Sequence, residues 1–333
     1  MNCIAAIYEL VKEIIVIDNA STDFSLSTLK SNLPMEGHRL RIINLNRNIG
    51  FAAGCNKGLS VSTQPYILFL NPDCILNPDS LHRMVQVMES GPQIGMVGGY
   101  LINPDGTEQG GGRRAIPTPW RAFVRAFGLY RLAKFRPQLF FDFHLDKQPL
   151  PQAPVEVEAI SGALMLVRRE AIDDVGTWDE DYFLHCEDLD WCMRFRQKNW
   201  KIVFVPDAPV THFKGACSQA RPFFVAWHKH RGMLHFYRKF FRQQYPGIVM
   251  GLITLAVWLR FGAIVLFHAI QGGCRILKPK HECTTGWIAR CNQPHRAMLN
   301  SAFDSERLAD YRIFPPIDCA GCAFAPANFL AAA

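Results

Sequence analysis

Charged side chains are scarce in this chain of 333 residues: they make up 20% of it, whereas hydrophobic residues make up 49%. That balance excludes an intrinsically disordered protein, because disordered chains combine few apolar residues with many charges. Internal repeats are also lacking, and the 21 prolines and 24 glycines are spread along the whole sequence. A coiled coil and a helical repeat array are therefore excluded.

A disulfide framework, a signal-peptide pattern and an unbroken spanning segment are missing as well. Eleven cysteines are too few for a disulfide scaffold of this length, so we expect a reducing, cytoplasmic setting. A mean hydropathy of +0.01 excludes a polytopic membrane protein. The uncharged run 247–259 is followed by Arg260 and a second apolar run to Phe267. This favours an interfacial or re-entrant helix, with a buried core helix as the alternative.

The net charge of +7 is distributed unevenly along the chain. Seven basic residues and no acid lie between Arg113 and Arg136, and six basic residues and no acid lie between Arg221 and Arg242. Residues 170–190 carry nine carboxylates and no Lys or Arg. Two basic faces around an acidic focus suggest an anionic ligand handled at a carboxylate site, while solvated surface faces are the alternative. A nucleic-acid-binding protein leaves the acidic focus unexplained, so we expect no nucleic acid as a partner.

Short apolar runs alternate with helical patterns through the first two hundred residues, which predicts an α/β domain with a mostly parallel sheet flanked by helices. The predicted strands are residues 13–18, 39–45, 66–70, 94–102, 201–205 and 210–213, with two more within 155–167. The predicted helices are residues 51–61, 77–89, 187–197 and 226–243. Ligands of such sheets bind beyond the carboxyl ends of the strands.

Acidic and amide side chains follow two of these predicted strands, at Asp18-Asn19 and at Asn71-Pro72-Asp73. A buried strand does not need a terminal carboxylate for its stability, so the two together favour a site. A carboxylate there can bind a hard divalent cation that grips a diphosphate. A third acidic group, Glu187-Asp188-Leu189-Asp190, starts a predicted helix, and it exceeds what capping requires. Asp190 and Arg194 form an i,i+4 pair that we expect to be structural.

Six motifs follow one another in order along the chain. They are Asp18-Asn-Ala-Ser-Thr-Asp23, Asn48-Ile-Gly-Phe-Ala-Ala-Gly-Cys-Asn56, Leu70-Asn-Pro-Asp73, Ser161-Gly-Ala-Leu-Met-Leu-Val-Arg-Arg169, Gly176-Thr-Trp-Asp-Glu180 and Phe183-Leu-His-Cys-Glu-Asp-Leu-Asp-Trp-Cys-Met-Arg194. The series closely resembles the family 2 glycosyltransferases, which have the Rossmann-like GT-A fold. Within that family it is most similar to the bacterial rhamnosyltransferases that build O-antigen and other cell-surface polysaccharides.

The resemblance implies a role for each matched residue. The implied nucleotide-binding residues are Asp18, Asn19, Arg47, Asn48, Gly50, Asn56 and Asn71. Asp73 stands where the family's metal-binding Asp-X-Asp motif ends, and His212 is implied as a further metal contact. Asp188 is implied as the general base, with Glu187 and Asp190 orienting it or the acceptor.

The resemblance also implies an inverting reaction that moves a sugar from a nucleotide-sugar donor with the help of Mg²⁺ or Mn²⁺. We expect dTDP-rhamnose as the donor and a lipid-diphosphate-linked or glycan acceptor. The basic, aromatic residues 226–243 and the apolar run after them would hold such an acceptor. The enzyme would then be peripheral at the cytoplasmic face of the cell membrane.

Two parts of the chain depart from the family pattern. The relatives' first strand has no counterpart, because residues 1–10 already resemble the family's first helix. That strand would be central in the sheet, so the alternatives are a start further upstream, a decaying gene product or a sheet that closes without it. Residues 276–333 match nothing in the family, and we expect them to be disordered or frameshifted. The expected organisation is a truncated GT-A domain over 1–220, membrane-associating helices over 221–275 and this tail; a catalytically inactive remnant is the alternative function.

Overall fold

The structure, a computed structural model, describes residues 7–8, 10–22, 26, 29, 40–213, 221–276 and 328–332. The chain divides into two units, of which the first comprises residues 1–261 and 322–333. The second unit comprises residues 262–321, and its described part is the end of one long helix. The candidate site lies wholly within the first unit, so the fold of that unit is described here.

The first unit is built on a twisted sheet whose strands are rich in Ile, Val and Leu, residues that suit a pleated surface buried on both faces. Its strands are β1 (Glu13–Asp18), β2 (Leu40–Asn44), β3 (Tyr66–Leu70), β4 (Cys74–Leu76), β5 (Ile94–Ile102), β7 (Val155–Glu156), β9 (Leu164–Arg168), β10 (Lys201–His212) and β11 (Asn328–Ala332). A separate two-stranded ladder pairs β6 (Arg113–Arg114) with β8 (Ala159–Ile160). The strand order of the large sheet is β2-β1-β11-β3-β9-β5-β10-β4, and β7 pairs with β10.

Five strands of the large sheet, β2, β1, β3, β5 and β10, run in one direction. β1 is parallel to β2, and β5 is parallel to β10. The antiparallel strand β9 lies between β3 and β5 and so leaves these two in the same direction. The sheet is therefore mostly parallel in strand direction, as predicted, and its carboxyl ends gather at one edge.

A central position in the sheet, between β1 and β3, is taken by β11. This strand comes from the far end of the chain and pairs antiparallel with both β1 and β3. Its first residue, Asn328, is in register with Ile17, one residue before Asp18. Residues 328–332 form this strand, while residues 277–327 lie outside the described part, so the expectation of a disordered or frameshifted tail stays a prediction. The sheet gains the backbone hydrogen bonds that a central position requires.

Helices cover both faces of this sheet. They are α1 (Phe51–Leu59), α2 (Pro78–Glu89), α3 (Pro119–Ala126), α4 (Arg169–Val175), α5 (Glu187–Gln197), α6 (Pro222–Phe241) and α7 (Gly247–Ile276). The alternation along β1 separates the two apolar layers: Ile15 and Ile17 face one cluster, and Ile14 and Val16 face the other. The first layer packs against α1, α4, α5 and α6, and the second packs against α2.

Several element boundaries differ from the prediction for local reasons. β10 is one strand rather than two, because its pairing register with β5 shifts between Val205 and Pro209 and the strand continues past the residues between them. Residues 155–167 hold three short strands instead of two, and β4 was not predicted, since three residues are too few for a periodic signal. α7 continues through Arg260 as one helix to Ile276.

Candidate active site

Three strand ends bring the predicted residues to the same edge of the sheet. β1 ends at Asp18, β3 ends just before Asn71 and Asp73, and β10 ends at His212. These strands run in the same direction, so their terminal side chains gather beyond their carboxyl ends. Buried among them are Asp18 and Asn19, which are 3% and 0% exposed. Polar groups buried this deeply need fixed partners.

Asn19 ties the end of β1 to the predicted nucleotide loop. Its Nδ2 donates to the carbonyl of Gly50 at 3.0 Å, and its Oδ1 accepts from the backbone N–H of Ile49 at 2.8 Å. Asn48 Oδ1 accepts from the N–H of Gly50 at 2.9 Å, and both carboxylate oxygens of Asp18 accept from the N–H of Ser21 at 3.2 Å. These bonds hold the loop in one conformation beside the strand ends.

The loop conformation requires glycine at position 50. Gly50 has a φ of 92°, and a Cβ there would lie 2.7 Å from the carbonyl oxygen of Phe183. The amide of Asn56 is engaged by Trp178 and Glu180, so this residue anchors α1 to the loop after α4. Arg47 is exposed at the start of the loop. The nucleotide-binding roles of these residues stay predictions.

Asp73 and His212 face each other with an arrangement suited to a cation. Oδ1 of Asp73 is buried and lies 3.1 Å from Nε2 of His212, yet it accepts no well-formed hydrogen bond from the described residues. Gln109 orients the imidazole: its Nε2 donates to the carbonyl of His212 and to Asn103, so its Oε1 faces Nδ1 of His212 at 2.6 Å. Nδ1 therefore carries a hydrogen, and Nε2 is the ring nitrogen that faces Asp73.

The donor set of this pair fits a divalent metal ion. A carboxylate oxygen and an imidazole nitrogen face each other here, and Mn²⁺ accepts both ligand types. The bond from Gln109 to the other ring nitrogen is the outer contact that metal-bound histidines ordinarily make. The Cys74 thiol lies in the same group, but a hard cation prefers the two other ligands. Gln109 had no sequence signal, because its role depends on contacts that only folding creates.

An unusual backbone conformation just before α5 sets the direction of the acidic side chains at the start of this helix. His185 and Cys186 both adopt left-handed conformations, with φ of 69° and 73°. Gly232 of α6 allows this turn to approach, since a Cβ there would lie 2.7 Å from the carbonyl of His185. Such strain of about 1–3 kcal/mol per residue is maintained only where the surroundings enforce it. Its consequence is that Glu187 and Asp188 project from the helix N-terminus towards the strand ends.

Glu187 and Asp188 are neighbours in different surroundings. Burial, and next the charge of Asp188, raise the pKa of Glu187 to about 8. Its Oε2 is buried without a hydrogen-bond partner among the described residues. Asp188 is held by donors: Nη2 of Arg114 and the N–H of Gly162 both bond to its Oδ2. Glu187 therefore keeps its proton at neutral pH, and Asp188 is the carboxylate paired with a cation.

Asp190 occupies a structural position. It is fully buried, its Oδ1 accepts from Nε of Arg194 at 2.7 Å, and its Oδ2 lies 2.7 Å from Nζ of Lys239. Lys239 of α6 also contacts Asp179, so the cluster of Asp179, Asp181 and His235 already holds a cationic group. The predicted pair with Arg194 is present, and the predicted role of Asp190 in orienting Asp188 or the acceptor stays a prediction. Asp190 joins α5 to α6.

Comparisons with known proteins show which family the chain belongs to. The sequence profile of Glycosyl transferase family 2 matches residues 2–176, just over half of the chain. The N-acetylglucosaminyl-diphospho-decaprenol L-rhamnosyltransferase of Mycobacterium tuberculosis is 26% identical over 212 residues, covering 60% of this chain and 66% of the relative. Rhamnosyltransferase WbbL of Escherichia coli is 28% identical over 177 residues, covering 49% of this chain and 58% of the relative. The matches thus span less than two thirds of these relatives.

Among solved structures, the mannosyltransferase PcManGT of Pyrobaculum calidifontis, in complex with GDP-Man and Mn²⁺, is 15% identical. It matches with a TM-score of 0.47, over 90% of this chain and 78% of its own. A likeness of that size carries no argument about the reaction. The profile match over half of the chain is sufficient by itself: this chain belongs to glycosyl transferase family 2.

Proposed function

We propose that this protein is an inverting glycosyltransferase that moves rhamnose from dTDP-rhamnose to a lipid-diphosphate-linked acceptor at the cytoplasmic face of the membrane. The observation that carries the proposal is the pairing of Asp73 with His212 at the strand ends. A short turn of the chain lies between this pair and Asp188. The turn 161–163 connects the two: the carbonyl of Ala163 accepts from the N–H of Asn71 at 2.9 Å, and the N–H of Gly162 bonds to Asp188. A diphosphate bound near Asp73 and His212 and a general base at Asp188 would therefore lie at the same edge of the sheet.

Asp73 and His212 would hold Mg²⁺ or Mn²⁺, which neutralises negative charge on the leaving diphosphate. Asp188 would accept the proton of the attacking acceptor hydroxyl as the new C–O bond forms at the anomeric carbon. The bond between that carbon and the diphosphate oxygen breaks, and its electron pair leaves with the nucleoside diphosphate. Attack from the face opposite the leaving group inverts the sugar, and a base in this position contributes about 10²–10⁴ in rate.

Glu187 would not compete for the proton, since its own proton stays in place at neutral pH. Two adjacent carboxyls with different protonation states are a common way to separate a base from a group that only shapes the site. We therefore assign proton removal to Asp188 and a neutral, packing role to Glu187.

The helices α6 and α7 support an acceptor with a lipid anchor. A cavity of about 310 Å³ lies between them, lined by Trp227, Arg231, Leu234, His235, Arg238 and Trp258. Its two arginines suit a diphosphate, and its two tryptophans suit an apolar chain close to a membrane surface. The mycobacterial relative is named for a diphospho-decaprenol substrate, which supports the same class of acceptor here.

The proposal predicts nucleotide binding that depends on both metal and Asp73. Thermal melts of the full chain with dTDP, UDP or GDP, each with and without Mn²⁺, measure it. A ligand at about a hundred times its dissociation constant stabilises the fold by roughly 2.7 kcal/mol, and we expect this shift with dTDP only when Mn²⁺ is present. Asp73→Ala and His212→Ala should each remove most of it.

Asp207→Ala is the matched control, because Asp207 is an exposed carboxylate paired with Arg83 at 2.7 Å, outside the strand-end site. It should keep the whole shift. If none of the nucleotides shifts the melt of the unmodified chain, the donor site does not work, and the alternative of an inactive remnant is correct. If Asp73→Ala retains the full metal-dependent shift, the metal assignment is wrong.

A further inference from the structure

Arg114 makes a contact that the established family membership does not account for. It lies in β6, and its Nη2 donates to Oδ2 of Asp188. The same oxygen accepts from the N–H of Gly162 at 3.2 Å, and Oδ1 accepts from the N–H of Leu189 at 2.8 Å. Donors therefore fix both oxygens of the carboxylate, and one of the donors is a cation.

The frame that carries Arg114 is fixed relative to Asp188. Arg114 pairs with Ala159 across the β6–β8 ladder, and the N–H of Ser161 donates to the carbonyl of Gly112 at 3.1 Å. Gly162 follows directly, and a Cβ at this position would lie 3.3 Å from Cβ of Asp188. The cation and the N–H that hold Asp188 thus come from one small ladder, which sets their spacing.

The neighbouring arginine shows what a purely structural arginine looks like in this region. Arg113 forms a two-bond pair with Glu108 and also donates to the carbonyls of Gln148 and Pro149. In contrast, within the described residues the side chain of Arg114 has Asp188 as its one hydrogen-bond acceptor, and its Nε is buried without a partner. The contacts of Arg114 are not needed to hold these elements together, because Arg113 already joins them.

The side chains of Arg114 and Asp188 are 21% and 15% exposed, so the pair is partly shielded and still open to a substrate. A cation paired with the carboxylate restricts its orientation. Within the described residues Glu187 beside it has no such partner, and burial raises its pKa. Of the two adjacent carboxyls, Arg114 thus contacts that of Asp188.

We propose that Arg114 is a positioning residue that orients Asp188 for removal of the acceptor proton. The proposal rests on the proposed function, in which Asp188 is the base. Arg114 itself need not contact the substrate, so its effect should pass through Asp188 alone. That dependence distinguishes positioning from a direct contact with the donor or the acceptor.

A double-mutant cycle tests this dependence. The full chain and the variants Arg114→Gln, Arg114→Lys, Asp188→Asn and Arg114→Gln/Asp188→Asn are assayed for release of dTDP from dTDP-rhamnose, with an N-acetylglucosaminyl-diphospho-lipid as acceptor. We expect Arg114→Gln to lower kcat about 10²-fold with a nearly unchanged donor KM, and Asp188→Asn to lower it about 10²–10⁴-fold. The double variant should be no slower than Asp188→Asn, because residues acting as one unit are not additive.

Two further readouts separate positioning from a loss of fold. Arg114→Lys, which restores the charge, should recover part of the rate that Arg114→Gln loses. The control is Arg121→Gln, which breaks a similarly exposed ion pair with Glu158 and should keep kcat within about threefold. The melt of each variant with dTDP and Mn²⁺ checks that the donor site is intact.

The outcomes are distinct for the two proposals. An unmodified chain that releases no dTDP, or an Asp188→Asn variant that keeps its rate, would overturn the proposed function and this proposal with it. An active chain in which Arg114→Gln keeps its rate, or in which the two losses multiply in the double variant, would overturn the role of Arg114 alone.

Discussion

Among individual residues, the adjacent carboxyls of Glu187 and Asp188 show how surroundings divide two chemically similar groups. Burial and the neighbouring charge raise the pKa of Glu187 to about 8, whereas Asp188 is paired with Arg114. Such a division is typical of sites that need one ionised base and one neutral neighbour. The raised pKa of Glu187 also changes how the stability of the fold depends on pH, and this dependence can be measured without any substrate.

Glu187→Gln should flatten the pH dependence of stability between pH 5 and pH 8. The unfolded chain releases the Glu187 proton near its ordinary value of 4.5, whereas the folded chain holds it to about 8. In this window the folded state binds more protons, so the stability of the unmodified chain falls as the pH rises and levels off above pH 8. The difference between the two chains should grow by an amount on the order of 3 kcal/mol.

Denaturant melts of both proteins at several pH values measure this growth. Glu89→Gln, which removes an exposed carboxyl on α2, serves as the control and should leave the slope unchanged. Parallel curves for Glu187→Gln and the unmodified chain would show that Glu187 is ionised in the fold.

Among the elements, the loop before α1 depends on contacts with a segment far along the chain. Asn19 and Asn48 fix its backbone, and the carbonyl of Phe183 accepts from the N–H of Phe51 at 2.9 Å. The same segment leads into the left-handed turn before α5. The predicted nucleotide loop and the predicted base are therefore parts of one connected structure.

Gly50→Ala tests this connection. At a φ of 92° the new Cβ would lie 2.7 Å from the carbonyl oxygen of Phe183, so backbone must move. We expect a loss of about 2 kcal/mol or more in the free energy of unfolding and a smaller dTDP–Mn²⁺ shift. Gly106→Ala is the matched control, because Gly106 has a φ of 82° and no atom within 4 Å of the new Cβ.

The control should lose about 1 kcal/mol from the left-handed conformation alone, with its nucleotide shift intact. Thermal and denaturant melts of the two variants give the comparison. Equal losses in both variants would mean that Phe183 does not constrain the loop.

At the scale of the whole molecule, the basic and apolar surfaces of α6 and α7 stand out. Within residues 247–270 of α7, the most apolar stretch of 18 residues has a mean hydropathy of 2.2, and hardly any of that stretch is buried. By length and composition this helix is long enough to cross a membrane. Exposed side chains such as Ile248, Leu252 and Leu255 need a nonaqueous environment, and the arginines of α6 favour an anionic one.

We expect the full chain to sediment with vesicles that contain phosphatidylglycerol, and to do so less at high salt, where charge attraction is screened. The double variant Leu252→Asp/Leu255→Asp should lower the bound fraction at least about tenfold, since an aspartate in the middle of an apolar helix costs about 3 kcal/mol on insertion. Phe135→Asp alters an equally exposed apolar residue outside α7 and should bind like the unmodified chain. Sedimentation unaffected by the α7 variant would assign the membrane contact elsewhere.

The sequence by itself determined the α/β class, most of the long helices and strands, and which polar residues lie at the strand ends. Strands such as Glu13–Asp18 and Ile94–Ile102 follow from local apolar runs, and helix α2 follows from its Asn77 cap and Pro78. These signals are local, so no tertiary information was needed. Asp73 and His212 were predicted from the motifs, and folding places them 3.1 Å apart.

Tertiary structure alone decided the features that depend on distant partners. Gln109 and Arg114 contact His212 and Asp188 only when β10 and α5 reach them, and Asp190 meets Lys239 only when α6 packs beside it. The strand β11 fills a central position from the far end of the chain, which no local pattern could indicate. Hydrogen bonding and charge pairing act over a few ångströms, and only the fold brings residues a hundred positions apart within that range.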